Sequence, residues 1–143
     1  MKLNELLESA LYVADITDAE CFYTEVLGLT LDSKAEDRHL FFRCGHRMLL
    51  LFNAEATVTA GEGPEDAPQH GTKGAGHIAF AVQDQDLDRW KEHLSENGVA
   101  IEKEIEWEGS RSIYFRDPSG NSLEITSPVI WGIPENTFFN ELG

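Results

Sequence analysis

Residues 76–98, GHIAFAVQDQDLDRWKEHLSENG, set a strand pattern directly before a helix pattern, and the same order occurs once earlier, at residues 8–28, ESALYVADITDAECFYTEVLG. In the later copy His77, Ala79 and Ala81 alternate with Ile78, Phe80 and Val82, the period of two that a half-buried strand requires. Leu87, Trp90 and Leu94 then recur at helical spacing, and Gly98 stops the helix. Laid together at an offset of 69 residues, Glu8 falls on His77, Ala10 on Ala79, Val13 on Val82 and Asp15 on Asp84. Gly28 and Gly98 are offset by 70, and Gly45 and Gly120, like Leu49 and Glu124, by 75. A strand, a helix and three further strands occur twice, and repetition at this scale marks a fold built from two similar units.

The fold class that follows is α+β: two βαβββ modules forming a curved, partly open mixed sheet with helices on the outer face. The first module is expected over about 5–53 and the second over about 76–128, in one domain spanning 1–143. Thr17 and Glu20 form a capping-box pattern at the start of the first helix. Further strands are expected near 29–35, 38–44 and in RMLLLFN of the first module, and in VAIEKEI, RSIYFRD and SLEITS of the second. Residues of about 54–75, rich in Gly and Pro without sustained periodicity, read as a linker that either connects or lies over a pocket. The tail 129–143 carries Trp131, Phe138 and Phe139, which points to packing on its own helices or to a homodimer.

Composition narrows the function. Lys and Arg number 11 against 26 Asp and Glu, a formal net charge of −15. Such a chain repels phosphate backbones and anionic lipid, so neither nucleic acid nor membrane is expected as a partner. No stretch approaches the roughly 18 apolar residues of a membrane span, and the expected location is cytoplasmic. Cys21 and Cys44 have no metal-site or disulfide spacing and read as reduced core residues.

The phase of each strand sorts its polar residues. Leu11 and Val13 must face the first helix, so Glu8, Ala10 and Tyr12 face away from it. By the same rule His77, Ala79 and Ala81 oppose Ile78, Phe80 and Val82, and Glu124 and Thr126 oppose Leu123 and Ile125. Glu8, His77 and Glu124 are therefore the candidate metal ligands, an N,O,O set for a divalent cation whose shell water or substrate completes. The plainer alternative makes Glu8 an exposed strand start, His77 a hydrogen-bonded core residue, and Glu124 the partner of Arg47 or Arg116. Ser112 and Tyr114 share a face with Arg116 and would donate to an anionic oxygen of a substrate, while Arg111 or Arg116 would neutralise it. Alternatively, Tyr114 is an ordinary sheet aromatic and the arginines face solvent. Tyr12 lines the same phase, and His70 in the linker is the remaining candidate to fold over the cavity as a base or donor.

With these residues in place, the sequence resembles the vicinal oxygen chelate superfamily, also called the glyoxalase, bleomycin resistance and extradiol dioxygenase superfamily. ALYVADITDAECFYTEVLGL is similar to its opening strand and helix, and YFRDPSGNSLEI to its closing signature, paired with the upstream HIAFAV. The resemblance implies a divalent ion, Zn, Mn, Ni or Fe, held at the start of each module's first strand and in its last strand. His77 and Glu124 match the second module's pair. Glu8 stands where a His is frequent, and Leu49 at the fourth position cannot coordinate. The resemblance further implies a small homodimeric lyase, isomerase or transferase acting on an oxygen-rich metabolite, with Glu8, Glu124 and Tyr114 as catalytic groups. Ser112 and Tyr114 match positions that lie near the substrate in fosfomycin-modifying thiol transferases, although no arginine follows Glu124 in ITSPVIWG. Non-catalytic drug binding is the alternative within the same fold, and dioxygenase chemistry, which needs two His ligands, fits less well.

Overall fold

A computed structural model describes residues 1–59 and 63–139 of the chain. Residues 60–62 of the expected linker and 140–143 of the expected tail lie outside the described residues. The chain divides into two compact units, Met1–Gly76 with Pro118–Asn121, and His77–Asp117 with the chain from Ser122 onward.

The first unit holds β1 (Glu8–Val13), α1 (Ile16–Cys21) continued by a π-helical turn (Phe22–Val26), β2 (Thr30–Ala35), β3 (His39–Cys44) and β4 (Arg47–Asn53). Its strands form one mixed sheet in the order β1-β4-β3-β2, with β1 parallel to β4 and the other pairs antiparallel. One face is apolar: Leu11, Val13, Leu40, Phe42, Leu49 and Leu51 are buried together with Ala19, Phe22 and Tyr23 of the helical segment. Tyr23 is fully buried and stacks on Phe42 with ring centroids 5.8 Å apart.

Two local expectations are corrected here. The N-cap of α1 is Asp15, not Thr17. Asp15 leaves the strand in an extended conformation and its carboxylate accepts the Asp18 N–H at 2.8 Å, which satisfies an otherwise orphaned donor. Cys21 is exposed rather than part of the core, because the buried stripe runs through Ala19, Phe22 and Tyr23. Its thiol lies 3.2 Å from Glu25 Oε2, and that hydrogen bond followed by the carboxylate's charge pushes the thiol pKa up.

The linker is partly structured. A one-turn helix, α2 (Ala54–Thr57), is capped by Asn53, whose side chain accepts from the Glu55 N–H. The chain then returns, with the His70 N–H donating to the Thr57 carbonyl at 3.0 Å and the Gln69 amide to that of Val58.

The second unit repeats the plan with β5 (His77–Ala81), α3 (Leu87–Glu96), β6 (Lys103–Glu106), β7 (Arg111–Arg116) and β8 (Ser122–Thr126). The sheet order is β5-β8-β7-β6, again with the first and last strands of the module parallel. Ile113, Phe115, Leu123 and Ile125 are buried with Leu87 and Leu94 of α3. A 3-10 turn (Pro128–Trp131) and α4 (Asn136–Phe139) follow β8. Each unit is thus a βαβββ module with a mixed four-stranded sheet and a flanking helix.

The registers correct one correspondence between the modules. Glu8 pairs with Met48 and Ala10 with Leu50, as His77 pairs with Ser122 and Ala79 with Glu124. The residue equivalent to Glu124 is therefore Leu50. Leu49 is buried beside Leu51 on the helix face, the opposite side of the sheet. Constant spacing from Gly45 was off by one residue because the two modules differ in loop length. Leucine occupies either position, so the inability to coordinate there is unchanged.

Candidate functional site

Glu124 lies in the middle of β8, opposite Ala79 on one side and Tyr114 on the other. Alternation turns it away from the Leu123 and Ile125 core, and it is only 6% exposed. A carboxylate so buried is destabilising by several kcal/mol, on the order of what ion burial costs, unless partners meet it. Three do. The Ser112 hydroxyl lies 2.5 Å from Oε1, His77 Nε2 lies 3.2 Å from Oε2, and the Tyr114 phenol also hydrogen-bonds the carboxylate. Among the described residues no buried side-chain polar atom lacks a hydrogen-bond partner.

The tautomer of His77 follows from its other contact. Nδ1 sits 2.9 Å from the Ser122 carbonyl oxygen, which can only accept, so Nδ1 carries the hydrogen. In the neutral ring Nε2 then presents a lone pair to the lone pairs of Glu124 Oε2. Two facing acceptors at this distance need a hydrogen or a cation between them. A histidine whose Nδ1–H is fixed by a backbone carbonyl is also the arrangement that orients Nε2 as a metal ligand. His77 is half exposed and open to a ligand, while Glu124 is held from behind. The donor pair therefore fits a divalent ion, although among the described residues no group of three or more His, Cys, Asp or Glu side chains is gathered to hold one.

Tyr114 stands beside this pair, its ring 6.2 Å from that of His77 at an interplanar angle of 26°. Burial, and then the negative charge of Glu124, push its phenol pKa above the usual value, so it is a protonated donor at neutral pH. Ser112 is fully buried and also receives the Trp107 indole N–H at 2.8 Å. The Thr126 hydroxyl, 3.1 Å from that of Ser112, donates to the Arg111 carbonyl at 3.0 Å.

The two arginines are placed differently. Arg111 has the phase of Ile113 and Phe115, and its guanidinium reaches Glu104 at 2.7 Å and Asp88 of α3 at 2.5 Å, away from Glu124. Arg116 has the phase of Tyr114 but is held in a fork by Glu102, at 2.7 and 3.1 Å. Glu124 thus pairs with His77.

In the first unit, Glu8 opens β1 with an exposed side chain. Tyr12 and His70 meet on that unit's helix-free face, where the phenol and Nδ1 are 2.6 Å apart. His70 packs edge-on against Phe52 at 4.6 Å, and Phe41 stands 5.6 Å from Phe52 and stacks on His39 at 4.0 Å. Sequence reasoning singled out Tyr12 and His70 but missed Phe41, Phe52 and Trp107. The phase of β3 and β4 carries the signal for the two phenylalanines. Trp107, one residue beyond the paired part of β6, shows none until the hairpin turns its indole N–H onto Ser112.

Comparison with known proteins agrees with this architecture. The family model of the Glyoxalase/Bleomycin resistance protein/Dioxygenase superfamily matches residues 3–125. A glutathione transferase FosA of Serratia marcescens is 31% identical over 123 residues, covering 86% of this chain and 80% of that one. A metallothiol transferase FosB of Bacillus licheniformis is 34% identical over 125 residues, covering 86% and 73%. The crystal structure of a lactoylglutathione lyase from Agrobacterium tumefaciens superposes with a TM-score of 0.88 at 37% identity, covering 93% of this chain and all of that one. With its two βαβββ units and a match across most of its length, this chain belongs to the Glyoxalase/Bleomycin resistance protein/Dioxygenase superfamily.

Proposed function

We propose that the chain is a divalent-metal-dependent enzyme, a lyase, isomerase or transferase, acting on a small oxygen-rich substrate. The observation that carries this reading is the buried Glu124 carboxylate facing the Nε2 of a histidine whose Nδ1 is already committed to a backbone carbonyl. His77 and Glu124 are the ligands the second unit would provide, and the contribution of Glu8, the third donor expected from the sequence, is tested by Glu8→Gln. A bound divalent ion polarises a substrate oxygen and stabilises negative charge that develops there. Around it, Ser112 keeps the carboxylate in place, Tyr114 presents a phenolic hydrogen to an anionic oxygen, and the small side chains of Ala79 and Ala81 leave room for the substrate. Two of the relatives named above carry glutathione in their names and the third a metallothiol, which makes a thiol-linked substrate the first to assay.

Elemental analysis and calorimetric titration test the site. Wild-type protein is expected to take up a divalent ion and His77→Ala to lose it; unchanged stoichiometry in the variant removes His77 from the site and the proposal with it. In the same reading the chain works as a homodimer, supported by Trp131, 80% exposed, and the exposed Phe138 in the tail. Light scattering that returns a monomer mass overturns that part.

A second reading, ligand sequestration without chemistry, is favoured by the aromatic face of Tyr12, Phe41 and Phe52 in the first unit. Ligand affinity that survives chelation, with no turnover, selects it.

A further inference from the structure

We propose that Trp107 is a positioning residue for the Glu124 carboxylate, acting through the Ser112 hydroxyl. The proposal rests on the metal-site reading above and adds to it a residue that is outside the coordinating set.

Trp107 lies in the β6–β7 hairpin, where its backbone N–H donates to the Ser110 carbonyl at 2.8 Å. The residue is 45% exposed, so full burial does not account for its placement. The indole N–H nevertheless reaches inward to a hydroxyl that is fully buried. That N–H can only donate, so Ser112 Oγ accepts from it. Thr126 has given its own hydrogen to the Arg111 carbonyl and toward Ser112 can only accept. The single Ser112 hydrogen therefore has three candidate acceptors: the Tyr114 phenol oxygen, Thr126 Oγ1 at 3.1 Å and Glu124 Oε1 at 2.5 Å. The charged acceptor wins.

The chain of donors runs in one direction, from indole to hydroxyl to carboxylate, and each bond polarises the next. With Oε1 fixed, Oε2 is left facing His77 Nε2 at 3.2 Å. Removing the indole N–H leaves a buried lone pair on Ser112 without its donor and frees the hydroxyl to rotate toward Thr126. Glu124 then loses its Ser112 contact at Oε1, and the paired donor atoms are less well preorganised for a cation.

The test is calorimetric titration of Mn²⁺ into wild type, Trp107→Phe, Ser112→Ala and the double variant, with the 13C resonance of the Glu124 carboxyl recorded in each metal-free chain. Trp107→Phe is expected to lower Mn²⁺ affinity about tenfold, the low end of the 10–100-fold that outer partners of metal ligands contribute. Ser112→Ala is expected to lower it at least as far, and the double variant no further than Ser112→Ala, because the two residues act in series. The Glu124 resonance should move in Trp107→Phe and be the same in the double variant as in Ser112→Ala. Replacing Trp107 by benzothienylalanine, which keeps the ring shape without the N–H, should reproduce the Phe result and serves if Trp107→Phe does not fold. Affinity within twofold of wild type, or losses that multiply in the double variant, overturns the proposal. Wild type that takes up no Mn²⁺ overturns the metal reading instead, and an unmoved Glu124 resonance then decides against Trp107 as well.

Discussion

Glu124 and Tyr114 are adjacent across β7 and β8, and their mutual effect sets what each can do. Burial, and then the Glu124 carboxylate, hold the phenol protonated above its ordinary range near 10, so Tyr114 donates at every pH from 6 to 9 and contributes no titration there. Tyr114→Phe is therefore expected to lower kcat by about 10²-fold, the scale of one lost donor to developing charge, with little change in KM. Its pH–rate profile between 6 and 9 should parallel that of wild type, and a profile that changes shape in this range would place a titrating Tyr114 in the reaction. Glu124→Gln keeps shape and removes charge. The neutral amide still receives Ser112 but no longer offers an anion to His77, so divalent-ion affinity should fall by more than the 10–100-fold of an outer partner. Calorimetry on the purified variant measures it.

The strand register makes a sharper prediction than either module's sequence does. Leu49 is buried on the helix face of β4, and Leu50 is half-buried on the other. Leu49→Ala should destabilise by about 2–5 kcal/mol and Leu50→Ala by about half as much or less, read from urea unfolding; the reverse order would shift β4 by one residue. The ion pairs between α3 and the sheet give a pH dependence of known sign. Arg111 bridges Asp88 and Glu104, and Lys91 reaches Glu104 at 2.7 Å. Hydrogen bonds from these cations, Lys91 first for Glu104 and Arg111 first for Asp88, depress both carboxyl pKa values. Carboxylates depressed in the folded state add stability that is present above their unfolded values, near 4, and is lost as pH falls through the folded ones. Arg111→Met should accordingly lower stability at pH 7 more than at pH 2, as acid and neutral thermal melts would show. At this scale the sequence was largely readable, because alternation and helical spacing report which face a residue takes. The β3, β4, β7 and β8 positions, the opposition of Leu123 to Glu124, and the pairing of Ser112 with Tyr114 all followed from period alone. The cap at Asp15, the exposure of Cys21 and the position of Leu50 did not. Each depends on where one element ends and the next begins, and local propensity fixes that less firmly than periodicity fixes a face.

At the scale of the whole chain, segments far apart in sequence share one unit. Pro118–Asn121, the turn between β7 and β8, belongs to the first unit, more than 40 residues beyond Gly76. The Ser119 hydroxyl accepts the Ala14 N–H at 2.9 Å at the end of β1. Asn121 is 1% exposed and uses both ends of its amide, with Oδ1 accepting the Gly76 N–H at 2.8 Å and Nδ2 donating to the Tyr12 carbonyl at 2.9 Å. The DPSGN stretch was legible as a turn and as part of a signature, but this clasp was not, since its partners lie as far as 109 residues away and hydrogen bonds across such separations leave no periodic trace. The consequence reaches a residue singled out from the sequence: Tyr12 is fixed at its carbonyl by Asn121 and at its phenol by His70. Asn121→Ala leaves the Gly76 N–H and the Tyr12 carbonyl without these partners, and the loss should be about 1–3 kcal/mol, the range for buried polar groups left unpaired. Asn121→Asp restores the acceptor for Gly76 but replaces the donor to Tyr12 with a second acceptor, so it should be at least as destabilising as the alanine variant. Thermal melts and amide exchange at Gly76 separate the two bonds: Gly76 should exchange faster in Asn121→Ala than in Asn121→Asp, and equal exchange would mean that Asn121 Oδ1 does not hold the Gly76 N–H.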